Sequence, residues 1–177
     1  MSAIGRVLVG LLEDNLHSVG AEIGAHSGDT ANYICKNFGD MNTYYAYDTW
    51  KREERDGVLY RKPPHYKYFN IKAARKNLKK VTEPYQNIIK YYFMSSEAAA
   101  KRTRNESLNW VLIKGSSHYE EVFKNIRLWM MKVKTNGMVL GINYHKKGVK
   151  KALNDFVPKE KLTHFSNGIW FFERGKF

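Results

Sequence analysis

The chain has 177 residues, 43% of them hydrophobic, which fits a single domain over residues 1–177 with one core. No apolar run approaches the roughly 20 residues that a membrane-spanning helix needs, and one cysteine, Cys35, excludes an internal disulfide and any cysteine-rich metal site. The formal charge of +13 excludes an acidic character and favours anionic partners, although solvated basic faces produce the same balance.

The first segment, "IGRVLVGLL", is followed at once by Glu13 and Asp14. It reads as an amphipathic opening helix without the cleavage site of a signal peptide; the single cysteine makes a reducing cytoplasm the expected setting. Short apolar runs then alternate with helical periods. "VGAEI" (19–23), "TYYAYD" (43–48), "NIIKYYF" (87–93), "NWVLI" (109–113) and "GMVLGI" (137–142) have the length and content of strands. Helices are predicted over 29–38, closed by Gly39; over 70–81, before Pro84; over about 97–103; over 118–133; and over 148–157, stopped by Pro158. The clearest is 118–133, where Tyr119, Val122, Phe123, Ile126, Trp129, Met130 and Val133 form one buried stripe. Asn136 and Gly137 supply a left-handed turn before the next strand. "KLTHFSNGIWFFE" places Ser166, Asn167 and Gly168 between two strand-like runs, which signals a hairpin. The sum is an α/β fold with an open, mostly parallel sheet and an antiparallel edge.

Ligands of such sheets gather at the carboxyl ends of the strands, where the strand order reverses. "GAEIGAHSGDTA" (20–31) falls at the end of the first strand. Gly24 and Gly28 let backbone approach a ligand closely, and Thr30 and Ala31 open the next helix. The dinucleotide fingerprint demands glycine where His26 and Asp29 stand. Glu22 would oppose a diphosphate and favours a ligand carrying an amine or sulfonium. Asp48, 24 residues beyond Gly24, ends the second strand, placed to accept both hydroxyls of a ribose. Acid, glycine, glycine and a second acid at the next strand end point to a nucleoside without phosphates.

"AEIGAHSGDTANYI" resembles the first motif of the class I S-adenosylmethionine-dependent methyltransferases, and Asp48 falls where that family carries its ribose-binding acid. From Met94 to Phe156 the chain is similar to a small-molecule and glycan-type methyltransferase family that reads as strand, I-D-G-D-H-S-Y-E, long helix, G-G, strand, G-H-D-Y and G-V-K-K-A-V; the counterparts here are "IKGSSHYE", "NG", "GINYHKKGVKKAL". The resemblance covers about Val19 to Phe156. It implies a Rossmann-like sheet of seven strands with helices on both faces and an antiparallel C-terminal hairpin. It also implies S-adenosylmethionine as cofactor and S-adenosylhomocysteine as product. Gly24, Ala25, Ser27 and Gly28 would face the methionine part, with Thr30 and Gly115 beside it and Glu22 holding loop amides or the amino group indirectly. Asp48 would bind the ribose, Thr49 and Trp50 would flank the adenine, and Ser95 or Ser96 would reach the adenine amine. Ser95, Ser96 and Glu97 also read simply as a helix start.

The chain departs from that family at the positions that carry its metal. Lys114 stands where the family has the aspartate of I-D-G, Asn143 where it has the aspartate of G-H-D-Y, and Ser117 followed by His118 where it has histidine. A hard divalent cation wants carboxylate oxygens, so no bound metal is expected. Lys114 would replace the cation, and His118, ahead of His145, is the expected base, since histidine titrates near neutrality. Lys114, His118, Asn143 and His145 are therefore the catalytic candidates.

The segment 49–70, "TWKREERDGVLYRKPPHYKYFN", is far longer than the two to six residues usual between strand and helix. Basic and aromatic residues interleave in it, and Pro63 and Pro64 stiffen it, so a substrate-selecting lid is expected. The expected function is O-methyl transfer to a small or glycan-linked, anionic acceptor. The alternative is an inert cofactor-binding or nucleic-acid-binding protein on the same fold. Nucleic acid ranks below a small acceptor as partner, and a homodimer is left open.

Overall fold

A computed structural model describes residues 3–12, 17–50, 54–55, 58–59 and 71–175. Helix α1 (Ala3–Leu12) precedes strand β1 (Ser18–Ile23), helix α2 (Asp29–Asn37) and strand β2 (Met41–Asp48). A two-stranded ribbon, β3 (Glu54–Arg55) and β4 (Val58–Leu59), is followed by α3 (Ile71–Thr82) and β5 (Ile89–Phe93). Then come α4 (Ser96–Arg102), β6 (Leu108–Ile113), α5 (Tyr119–Met130), β7 (Val133–Gly141), α6 (Lys147–Phe156), β8 (Thr163–His164) and β9 (Trp170–Glu173). Apart from the ribbon, the strands form one seven-stranded sheet in the order β5-β2-β1-β6-β7-β9-β8. The first five run parallel and β9 runs antiparallel to both β7 and β8. This is the mostly parallel sheet expected from the alternating runs, in the seven-stranded Rossmann-like form that the resemblance implies, with the hairpin at its edge.

Both faces of the sheet are covered, because the central strands are apolar on both sides. Helices α1, α2 and α3 bury Leu8, Ile34 and Leu78 against Tyr44, Trp110 and Leu140 on one face. On the other, α4, α5 and α6 bury Ala99, Ile126, Trp129 and Leu153 against Val111, Val139 and Phe172. Each of these large side chains contributes about 1.5–3 kcal/mol by leaving water. Gly20 in β1 has a packing reason: a β-carbon there would lie 1.9 Å from Trp110 Cε2, so only glycine lets that indole cross the middle of the sheet.

Two boundaries differ most from the sequence reading. Helix α5 ends at Met130, and Val133 belongs to β7, paired with Leu108. Val133 is buried in the same cluster as the helical stripe, so its apolar character satisfies strand and helix alike. Strand β7 begins before Asn136, whose φ of 63° makes a bulge within the strand instead of a turn ahead of it. The proposed lid, 49–70, lies outside the described residues except for Thr49, Trp50 and the ribbon backbone.

Candidate functional site

The strand order reverses between β1 and β6, the neighbours from which the chain departs to opposite halves of the sheet. The loops that leave them, 24–28 and 114–118, therefore diverge and open a crevice. Lys114 N–H donates to the Ile23 carbonyl at 2.8 Å, tying the two loops together at its base. Gly24 has φ +90°, and a β-carbon on it would sit 3.3 Å from the backbone of Lys114 and Gly115. A β-carbon on Gly115 would meet nothing within 4 Å. The crevice thus has bare backbone on both walls, a cradle that side chains would fill. Gly28, at φ +81°, caps α2 and lies against Leu78 of α3. Ser27 donates from Oγ to Asp29 Oδ2 at 2.5 Å, and its carbonyl accepts from Asn77 Nδ2 at 2.9 Å. The glycine loop is thereby fixed to α3.

Asp48 joins this loop to the end of β2. Its Oδ2 accepts from the His26 amide at 3.0 Å and its Oδ1 from the Trp50 amide at 2.8 Å. His26 has φ 54° and Trp50 φ 43°, left-handed conformations that non-glycine residues adopt only where surroundings hold them. Trp50 Nε1 closes the ring by donating to the His26 carbonyl at 2.7 Å. Gly24 and Ala25 amides meanwhile donate to the Tyr47 carbonyl at 2.8 and 3.2 Å. The loop amides are held by Asp48 and Tyr47.

Glu22 is fully buried at 0% exposure and has partners of its own. Lys114 Nζ lies 2.7 Å from Oε1, and Tyr44 Oη donates to Oε2 at 2.7 Å. Lys114 Nζ also donates to Thr30 Oγ1 at 3.0 Å. The Lys114 side chain is only 17% exposed, so its ammonium turns inward instead of standing free toward an acceptor. Burial, and then the negative charge of Glu22, push the Tyr44 hydroxyl well above its ordinary pKa, so it stays a donor at any physiological pH. The same two causes, in the same order, push the Cys35 thiol up to about 12. Sequence reasoning missed Tyr44, although strand alternation places it on the same face as Glu22.

The other site candidates take clear positions. Ala25 and Thr30 are buried, Ala25 within the core under the loop. Trp50 is 5% exposed, with its ring 4.8 Å from that of Phe93, so it braces the loop beside Thr49. Ser95 caps α4, accepting from the Ala98 amide at 3.2 Å. Ser96 turns into the seam between α4 and α5, donating to Asn125 Oδ1 at 2.5 Å and accepting from Trp129 Nε1 at 2.7 Å. His118 is an exposed residue just ahead of α5. Asn143, with φ 66°, and exposed His145 follow β7. A β-carbon at Gly168 would sit 2.7 Å from His145 Nδ1, so that imidazole rests on the turn of the C-terminal hairpin. All four catalytic candidates lie at the carboxyl end of the sheet.

Fold and switch-point loops together define a Rossmann-like protein. A family model described as a methyltransferase domain matches residues 21–144. The chain belongs to this methyltransferase family, whose class I members use S-adenosylmethionine. A methyltransferase from Geobacter sulfurreducens superposes with TM-score 0.67 at 10% identity, covering 98% of this chain and 79% of that one. The O-methyltransferase NovP superposes with TM-score 0.66 at 13% identity, covering 97% and 78%. A provisional caffeoyl-CoA O-methyltransferase from Staphylococcus aureus gives 0.67 at 13% identity, covering 99% and 84%. Those three likenesses extend to the fold. No curated protein sequence matches the chain.

Proposed function

We propose that the chain methylates an oxygen of a small or glycan-linked, anionic acceptor from S-adenosylmethionine, without a metal ion. The observation that carries this reading is the partly exposed carboxylate of Asp48 at the end of β2, beside the bare backbone of Gly24 and Gly115. The bound cofactor supplies an electrophilic methyl group on sulfonium. The residues of the chain then bind, align and exclude water. Each Asp48 oxygen accepts one loop amide and retains a second acceptor position for a ribose hydroxyl. The loop 24–28 and the first-turn amides of α2 suit the methionyl carboxylate. Lys114 and Asn143 replace the acids that hold a metal in the resembling family, which is the ground for metal independence. His118 and His145, which follow β6 and β7, would take a proton from the acceptor.

A second reading, cofactor binding without turnover, draws support from Lys114, whose ammonium is committed to Glu22. Titration calorimetry with S-adenosylhomocysteine tests the shared part: micromolar binding is expected, about 10- to 100-fold weaker in Asp48→Ala, the size of lost hydrogen bonds to a charged group. Unchanged affinity in Asp48→Ala, or tighter binding of NAD, refutes the assignment. Transfer of labelled methyl groups to sugar, phenol and RNA acceptors, unaffected by a chelator, separates the first reading from the second.

A further inference from the structure

The flank of the sheet formed by β2 and β5 carries a feature that methyl transfer does not use. Alternation puts Tyr45, Tyr47 and Tyr92 on one face there, with Tyr47 and Tyr92 directly paired across the strands. Their rings pack on one another: Tyr45 and Tyr47 stack at 6.1 Å and 14°, Tyr47 and Tyr92 stack at 5.5 Å and 23°, and Tyr45 and Tyr92 are tilted by 33° at 6.4 Å. The inner ring, Tyr47, is buried against Trp129, while Tyr92 is 37% exposed. Beside the rings opens a cavity of about 420 Å³, bordered by Arg102 and Arg104 after α4, within the range of ligand clefts.

The charge around this rack is one-sided. Lys90 Nζ lies 5.9 Å from the Tyr45 ring centroid, and Arg102 and Arg104 are exposed. None of the three enters an ion pair among the described residues. Exposed aromatic rings on adjacent strands, flanked by cations, are how several sheet-based modules hold unpaired bases, with rings stacking the bases and cations meeting the phosphates. Duplex bases are already stacked on one another and gain nothing from such rings. An acidic peptide would use the cations and leave the rings idle.

We propose that this groove binds single-stranded nucleic acid, with bases stacked on Tyr92 and Tyr45 and phosphates at Lys90, Arg102 and Arg104. Fluorescence anisotropy of the full chain with a labelled 12-nucleotide RNA tests it across a salt series. Tyr92→Ala and Tyr45→Ala each weaken binding about 5- to 100-fold. The double variant R102E/R104E lowers the slope of log affinity against log salt by about 1.4, at roughly 0.7 per phosphate contact. K159E/K161E, which changes the same charge near the opposite sheet edge, leaves the tyrosine-dependent part intact. The proposal is overturned if RNA does not bind, if K159E/K161E weakens binding as much as R102E/R104E does, or if a mononucleotide competes as well as the strand. It is overturned equally if sedimentation shows a dimer that Tyr92→Ala dissociates, which assigns the face to a second copy.

Discussion

Replacing Lys114 with methionine removes the ammonium and keeps most of the side-chain volume. Glu22 then remains at 0% exposure with Tyr44 Oη as its one remaining hydrogen-bond partner among the described residues. Breaking a buried pair from one side costs about 3–5 kcal/mol, because the other charge stays uncompensated. At about 2.1 cal/mol/K per residue, a chain of 177 residues has an unfolding entropy of about 0.37 kcal/mol/K, so the melting temperature should fall by roughly 8–13 °C. Thermal melts of wild type and Lys114→Met measure the effect. The double variant E22L/K114M should recover part of the loss, since no charge then stays buried, while Tyr44 Oη loses its acceptor. A shift smaller than about 2 °C, against the worked range, refutes the pairing of Lys114 with Glu22.

Gly24→Ala forces a side chain into a φ of +90° and should destabilise the chain by about 1–2 kcal/mol, with a larger loss in S-adenosylhomocysteine affinity by calorimetry. Ser96→Ala strips the acceptor from Trp129 Nε1 and should cost about 1–3 kcal/mol in denaturant unfolding, while cofactor affinity stays unchanged. Cys35, buried and with its thiol pushed up to about 12, should resist thiol reagents at pH 8 in the folded chain and react in denaturant; rapid labelling of the native protein contradicts its position.

The sheet was legible because its central strands are covered on both faces and so appear as unbroken apolar runs. The hairpin was legible because Asn167 and Gly168 carry a backbone signal that few other contexts produce. The glycine loop was legible for the same reason, since Gly24 and Gly28 mark positive φ. What escaped depends on register between distant segments. Lys114 reaches Glu22 across 92 residues of sequence, and nothing local to either position announces the other. The direction of a side chain at an element boundary is similarly hidden: Ser95 and Ser96 are adjacent, yet one caps its helix and the other faces α5. The end of α5 escaped because Val133 is buried whether it continues the helix or begins β7.

The ion pair beneath the crevice constrains how this chain can change over generations. A substitution at position 22 alone strands a lysine, and one at position 114 alone strands a glutamate, so each single step leaves a charge without its partner. Descendants should keep both residues or exchange both together, which makes the two positions a heritable unit even though most of the chain lies between them.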